Sequence, residues 1–288
     1  MSSDRWLPAV GRRLGGRAVV GGRAPLAGGY GSGVVERVDL DVDGQAVPVV
    51  VKRASPAEVA AMRAVAVVEG DLAPRMLAAE GDEIVLSFVD GTPLAEGPDV
   101  PVEAWTALAR VHAHWFRKRP RGIPVVDAGW WRSLCDRTLI PLRGALERTG
   151  EQAYAAGADL VDGWGSEPRI GAALAALPKT LCHGDAHRGN VLVDDGTARL
   201  IDWGNARVAP AGLDVATLAA QGDADPSPYY EAFAQLSGLN LPAELRAVEW
   251  AWAQVQINVG YLGFAADHLG AARAEEMLDR AGRALTRL

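Results

Sequence analysis

The residues with the clearest chemical potential lie in one short stretch of the chain. Asp185 follows His183 by two positions and precedes Asn190 by five, and Asp202 comes twelve positions after Asn190. Phosphoryl transfer needs a carboxylate that orients an attacking hydroxyl and oxygen ligands that hold Mg²⁺ against the phosphates. The three oxygen-bearing side chains at 185, 190 and 202 are therefore candidates for that chemistry.

The same stretch also allows a different chemistry, that of a metal-dependent hydrolase. His183, Asp185 and His187 alternate, so on an extended segment their side chains would share one face and could bind a transition metal. This hypothesis leaves Asn190 and Asp202 without a role. A nucleotide-binding pseudokinase is a third class. Pseudokinases usually lack a catalytic or metal-binding residue, and this sequence retains all of them.

A lysine far upstream fits the phosphoryl-transfer hypothesis. Lys52 ends the apolar run Pro48–Val51, where a cation is expected to have an acidic partner. Glu58, on the helix that is predicted to follow, is the natural partner, and Glu69 is the alternative. An ammonium held in this way could contact the phosphates of a nucleotide.

A glycine-rich segment precedes the first long strand pattern. Gly29, Tyr30, Gly31 and Ser32 form its centre. Backbone amides in such a loop can cover nucleotide phosphates, so the segment is a candidate for ATP binding.

The elements that must position these residues begin with β-strands. Runs 34–42 and 47–52 are β-rich and are joined by Asp43-Gly44, which is a typical hairpin turn. Ser55-Pro56, with an acid three residues after the serine, predicts the start of a helix. A further strand is predicted over 83–89.

A Pro- and Gly-containing segment separates this β-rich region from a helical one. It runs from 90 to 101, and beyond it the apolar residues recur at helical spacing. Two short apolar runs, 191–193 and 198–201, predict a hairpin within the helical region. The pattern predicts an α+β protein of two units, 1–90 and 91–288.

With these motifs in view, the chain resembles the aminoglycoside phosphotransferase and choline kinase-like family of small-molecule kinases. The catalytic stretch has the spacing of the protein-kinase catalytic loop. The matching segments are VVVK at 49–52, FVDG at 88–91, LARVHA at 108–113, HGDAHRGNVL at 183–192, LIDWG at 200–204 and LDVATL at 213–218.

The resemblance implies a bilobal protein-kinase-like fold, with a small antiparallel sheet and one helix in the N-terminal lobe and a mainly helical C-terminal lobe. It implies ATP or GTP and Mg²⁺ as cofactors. Asp185 would be the catalytic base, Asn190 and Asp202 the metal ligands, and Lys52 with Glu58 part of the nucleotide site. The resemblance also implies that Ser87, Phe88 and Val89 hold the adenine of the nucleotide. The catalytic loop would be supported by His183, His187 and Asp214.

Departures from the protein-kinase pattern favour a small-molecule hydroxyl as the acceptor. Gly184 replaces the catalytic-loop arginine, Trp203 replaces a phenylalanine, and no activation-segment motif follows. An aminoglycoside or another cationic acceptor is one hypothesis, because acidic residues occur in the C-terminal helices: Asp223, Asp225, Glu231, Asp267, Glu275 and Glu276. Ordinary solvated helix faces are the alternative explanation for these acids.

Composition excludes several other classes. A net charge of −7 argues against a nucleic-acid partner. Two cysteines without metal-ligand spacing fit a reducing compartment, and polar residues interrupt the apolar stretch 250–266, so no membrane span is predicted. The cysteine content favours a cytoplasmic location, and we expect a monomer or a homodimer.

Overall fold

The computed structural model describes residues 4–26, 35–97 and 99–288. The predicted phosphate-covering residues Gly29, Tyr30, Gly31 and Ser32 lie outside the described residues.

An antiparallel five-stranded sheet dominates the N-terminal region, with the strand order β1-β2-β3-β5-β4. Its strands are β1 (Ala18–Pro25), β2 (Val35–Val42), β3 (Gln45–Arg53), β4 (Met76–Glu80) and β5 (Glu83–Ser87). Two helices accompany the sheet, α1 (Leu7–Leu14) before it and α2 (Pro56–Val65) between β3 and β4.

Local sequence accounts for the strand and helix boundaries around Lys52. Asp43 and Gly44 both have positive φ angles, 51° and 87°, and they join β2 to β3 in the predicted hairpin. Asp and Gly are residues that tolerate this left-handed backbone. Ser55 begins α2 as predicted, and its side chain accepts a hydrogen bond from the Glu58 amide at 3.2 Å.

The remainder of the chain is mainly helical. Its helices are α3 (Val102–Trp115), α4 (Ala128–Thr149), α5 (Gln152–Trp164), α6 (Pro168–Ala176), α7 (Gly212–Ala220), α8 (Ser227–Ser237), α9 (Ala243–Gly260), α10 (Leu262–His268) and α11 (Ala271–Leu285). Its short strands are β6 (Thr92–Pro93), β7 (Thr180–Cys182), β8 (Val191–Asp194), β9 (Thr197–Leu200) and β10 (Arg207–Ala209).

Two small antiparallel pairings frame the segment that carries the predicted chemistry. β8 and β9 form the predicted hairpin, to which β6 adds a third strand, and β7 pairs with β10. A large buried cluster connects α2, α3 and β5 with β8 and β9, so the hairpin is anchored in the main core.

The predicted fold class is confirmed: the protein is a mixed α+β protein with an antiparallel N-terminal sheet and a helical C-terminal region. The structure adds α1, which the sequence interpretation missed because eight residues give too short a periodic pattern. Among the described residues, no helix is both long and apolar enough to cross a membrane.

Candidate active site

The loop between β7 and β8 carries Asp185. Gly184, directly before Asp185 in this loop, has a φ of +83°, a backbone conformation that side-chain-bearing residues rarely adopt. A Cβ atom at position 184 would lie 1.9 Å from the Asn205 carbonyl oxygen. Glycine is therefore required both by the backbone angle and by the close approach of the 205 segment.

Replacing Gly184 by Ala is expected to lower the free energy of unfolding by about 3 kcal/mol, because strain and a backbone clash add. Urea denaturation measures this effect. Gly196→Ala is the matched control: Gly196 also has positive φ, +70°, but a Cβ there meets nothing within 4 Å. An equal decrease in the free energy of unfolding in the two variants would show that the close approach of Asn205 does not add to the cost of the substitution at position 184.

Asp214 holds the beginning of this loop from the first turn of α7. Its carboxylate is fully buried and accepts hydrogen bonds from the backbone N–H groups of His183 at 2.6 Å and Gly184 at 2.8 Å. His112, from α3, lies 3.1 Å from the same carboxylate through Nε2. Burial by itself raises the pKa of Asp214, but the bond from His112 and the donated N–H bonds outweigh it and hold the pKa below its ordinary value.

The two predicted histidine supports take different positions. His183 is fully buried, donates from Nε2 to the Ile201 carbonyl at 2.7 Å and packs edge-on against Trp203. His187 uses Nδ1 to accept a bond from the Gly189 amide at 3.1 Å. His183 thus links the loop to the segment before Asp202, whereas His187 closes a local turn.

Asn190 and Asp202 flank the open end of the β8–β9 hairpin. Val191 pairs with Leu200, and the Ile201 amide donates to the Asn190 carbonyl at 2.9 Å. The Asn190 side-chain amide donates to the Asp185 carbonyl at 3.0 Å, which leaves its oxygen as the atom available to a ligand. The hairpin register therefore places Asn190 beside Ile201, the residue before Asp202, so the two residues predicted as metal ligands lie at the same end of the hairpin.

A charge cluster joins the N-terminal sheet to this hairpin. The Lys52 ammonium lies 2.6 Å from Glu58 and 2.6 Å from Asp202. Of the two acids considered for Lys52, the structure pairs it with Glu58. Burial lowers the pKa of Lys52, but the charges of Asp202 and Glu58 raise it more, so the ammonium stays protonated.

Asp202 has two unusual properties. Its φ of +62° places a non-glycine residue in the left-handed region, which costs about 1 kcal/mol and occurs preferentially at functional sites. Burial raises the pKa of its carboxyl, but Lys52 lowers it more, so the pKa lies below its ordinary value. The side chain is a carboxylate at neutral pH and is 54% exposed, which leaves it accessible to a ligand.

The predicted adenine-holding segment lies where β5 ends. Ser87 exchanges hydrogen bonds with Arg75 through its backbone amide and its hydroxyl, and the Phe88 amide donates to the Pro48 carbonyl at 3.3 Å. These bonds fix the chain as it leaves the sheet, and Val89, next along, is half-buried. The position of the segment is thus fixed, and its role in holding an adenine stays a prediction.

Sequence reasoning missed two residues that hold the Asp185 carboxylate. The Tyr261 hydroxyl donates to one oxygen at 2.5 Å, and the Asn205 amide donates to the other at 3.3 Å. Burial and the neighbouring carboxylate raise the pKa of Tyr261 well above its ordinary value, so the phenol remains a donor. The sequence pattern predicts a continuous helix through position 261. In the structure, Tyr261 lies between α9 and α10, where that helix is interrupted.

A cleft of about 220 Å³ opens beside this carboxylate between α4, β10 and α9. We call it the Asp185 cleft; its wall includes Trp130, Arg137, Asp185, Asn205, Arg207 and Tyr261. Lys52, Asn190 and Asp202 do not belong to this wall, so the cleft approaches Asp185 from a different side.

The triad required by the hydrolase hypothesis is not brought together. His183 and His187 bind the separate groups described above, and Asp185 faces Tyr261. Within the described residues, the His, Cys, Asp and Glu side chains that come close enough to share a metal are His112, Cys182 and Asp214. All three are buried, and His112 and Asp214 already pair with each other.

The comparisons with known proteins agree with this geometry. A putative fructosamine-3-kinase from Thermobifida fusca is 20% identical, with a TM-score of 0.62 over 99% of this chain and 100% of that one. A choline/ethanolamine kinase family protein from Mesorhizobium loti is 16% identical, with a TM-score of 0.60 over 93% and 88%. An aminoglycoside phosphotransferase, APH(4)-Ia, solved as a thermostable mutant in complex with ADP and hygromycin B, is 15% identical, with a TM-score of 0.57 over 93% and 94%. No curated protein matches the sequence.

In its fold, the chain is similar to these kinases and phosphotransferases. The model of the phosphotransferase enzyme family matches residues 23–250, and the chain belongs to that family. The predicted family and enzyme class are thereby confirmed.

Proposed function

We propose that the protein transfers the γ-phosphate of ATP to a hydroxyl group of a small molecule with the help of Mg²⁺. The observation that carries this proposal is the joint placement of Lys52, Asp202 and Asn190 around the hairpin that leads from Asp185. ADP in the structure of the aminoglycoside phosphotransferase supports a nucleotide as the donor. The proposed division into lobes, 1–90 and 91–288, puts Lys52 and the catalytic loop on opposite sides of the nucleotide.

The donor set fits Mg²⁺. Asp202 offers a carboxylate. The Asn190 amide nitrogen is used in a hydrogen bond to Asp185, so its amide oxygen is the atom that can bind a metal. Hard oxygen ligands of this kind are those that Mg²⁺ uses. When bound, Mg²⁺ supplies charge neutralisation to the phosphates. Lys52 adds a second positive charge, and Glu58 holds that ammonium in place when a phosphate competes for it.

Asp185 acts on the acceptor. Its carboxylate accepts the proton of the hydroxyl, whose oxygen forms the new bond to the γ-phosphorus. The bond between that phosphorus and the β,γ-bridging oxygen breaks, and its electron pair leaves with ADP. Tyr261 and Asn205 each donate to one oxygen of Asp185, so the carboxylate is held in one orientation before the acceptor arrives.

The direct test is an ADP-release screen with MgATP over aminoglycosides, amino alcohols and sugars, with ³¹P NMR to identify a phosphorylated product. We expect ADP formation that depends on both an acceptor and Mg²⁺. The same screen with GTP decides between the two nucleotides. Failure of the protein to bind either nucleotide in the presence of Mg²⁺ contradicts the proposal.

Replacing Asp202 by Ala is expected to remove most of the increase in Tm that MgATP causes, because one of two metal-binding side chains is lost. The variant should fold, since Asp202 is 54% exposed and Lys52 retains Glu58 at 2.6 Å. Thermal denaturation with and without MgATP measures the change. Asp194→Ala is the control, an exposed acid at the far end of the same hairpin, and it should retain the full shift. An undiminished shift in the Asp202 variant rules out its metal role.

A further inference from the structure

The Asp185 cleft contains two arginine side chains and one carboxylate. Arg207 comes from β10 and Arg137 from α4, and Asp185 is the acid in the wall. The six acids that suggested a cationic acceptor do not belong to this wall. Asp267 pairs with Arg148, Glu276 pairs with Arg273 and Arg280, and Asp225 caps the start of α8.

Hydrogen bonds and a ring contact hold Arg207 in place. Its guanidinium donates to the Asn205 carbonyl at 2.8 Å and to the Asn205 side-chain oxygen at 3.4 Å, and it lies over the Trp130 ring at 5.1 Å. These partners are neutral. Within the described residues, no carboxylate lies within ion-pair distance of Arg207. A guanidinium held in this way is pre-organised to bind an anion.

Arg137 adds a second positive charge that faces the same space. It is exposed on α4, and among the described residues it has neither a hydrogen-bond nor an ion-pair partner. Burial lowers the pKa of Arg207, the charge of Asp214 raises it in part, and the like charge of Arg137 lowers it, so the pKa lies below its ordinary value. The proximity of the two cations is thus electrostatically unfavourable. An anionic group between them would relieve this repulsion and form charge-assisted hydrogen bonds.

We propose that the acceptor of this phosphotransferase is an anionic hydroxyl compound, whose carboxylate or phosphate group binds between Arg137 and Arg207 while its hydroxyl faces Asp185. The inference rests on the proposed function and names the substrate class of that site. The cleft volume of about 220 Å³ is enough for one sugar ring or a short chain and lies below the roughly 300–1,000 Å³ of pockets that enclose drug-sized ligands.

Compounds that share a carbon skeleton but differ in charge provide the test. Glucose, glucosamine, glucuronate and glucose 1-phosphate form one series, and glycerol, 3-amino-1,2-propanediol, glycerate and glycerol 3-phosphate form another. Binding by calorimetry and ADP release with MgATP are measured for each compound. We expect an anionic member to have an affinity and a kcat/KM at least about tenfold above those of its neutral and cationic counterparts. Comparison of carboxylate with phosphate identifies the anionic group.

Arg137→Gln is the diagnostic variant, because an exposed arginine without partners can be replaced without loss of folding. Its preference for the anion should fall at least about tenfold through KM for the acceptor, while KM for ATP stays unchanged. Arg132→Gln, an exposed arginine on another face of α4, should behave as wild type.

A preference for the neutral or amino compounds, or binding of none of the eight, overturns the anionic-acceptor inference. So does an Arg137→Gln variant that keeps the preference. Each of these results leaves the phosphotransferase proposal intact, because that proposal fails only if nucleotide binding with Mg²⁺ fails.

Discussion

Replacing Asp185 by Asn is expected to lower kcat about 10³-fold while affinity for MgATP remains almost unchanged. The amide cannot take the hydroxyl proton. The ion pairs of Lys52 are with Glu58 and Asp202 and do not involve Asp185, so nucleotide contacts should survive. Steady-state kinetics with the best acceptor of the screen measures kcat, and calorimetric titration with MgATP measures nucleotide affinity.

Tyr261→Phe provides a graded comparison for the same carboxylate. It deletes the hydroxyl that lies 2.5 Å from Asp185 and keeps the ring. We expect a loss of about tenfold in kcat, which corresponds to one hydrogen bond of about 1.4 kcal/mol. Near-normal turnover in the Asp185 variant would exclude that residue as the base.

Replacing Asp214 by Asn is expected to lower the free energy of unfolding by about 3–5 kcal/mol and to inactivate the protein. The substitution keeps the shape of the side chain but places an amide N–H₂ group either against the Gly184 amide or against both the His183 amide and His112. The first residues of the catalytic loop thereby lose their anchor. Urea denaturation and kcat give the two readouts.

The pH dependence of stability offers a second measurement for Asp214. Its folded-state pKa lies below the ordinary value of 3.8, so its contribution is complete above that pH and fades as the pH falls through the folded-state pKa. The Asn variant should lack this acid-dependent loss. Asp225→Asn, an exposed acid that caps a turn, is the control and should retain wild-type stability. A stable and active Asp214 variant would contradict its bracing role.

The predictions that succeeded rest on residues close together in sequence. Asp43-Gly44 predicted a hairpin because its backbone angles are locally determined, and Ser55 predicted the start of α2 for the same reason. The two short apolar runs 191–193 and 198–201 predicted the hairpin that β8 and β9 form.

The residues that sequence analysis missed depend on contacts between distant elements. Nothing in the local pattern shows that Tyr261, beyond α9, reaches Asp185, or that Arg137 of α4 faces Arg207 of β10. The acidic C-terminal helices suggested a cationic acceptor, but net charge does not tell which side chains face a cleft. His112 was part of a motif match, yet its role appears only once α3 packs beside Asp214.

The ion pair between Lys52 and Asp202 also constrains the order in which the chain folds. The two residues are 150 positions apart, so they meet only after a long loop has closed. Until then the Lys52 ammonium, which is nearly buried in the folded protein, has Glu58 as a partner only six positions along the chain. The N-terminal sheet and α2 can therefore form early with this charge satisfied. We expect refolding chains to acquire a native-like sheet before they acquire the capacity to bind a nucleotide.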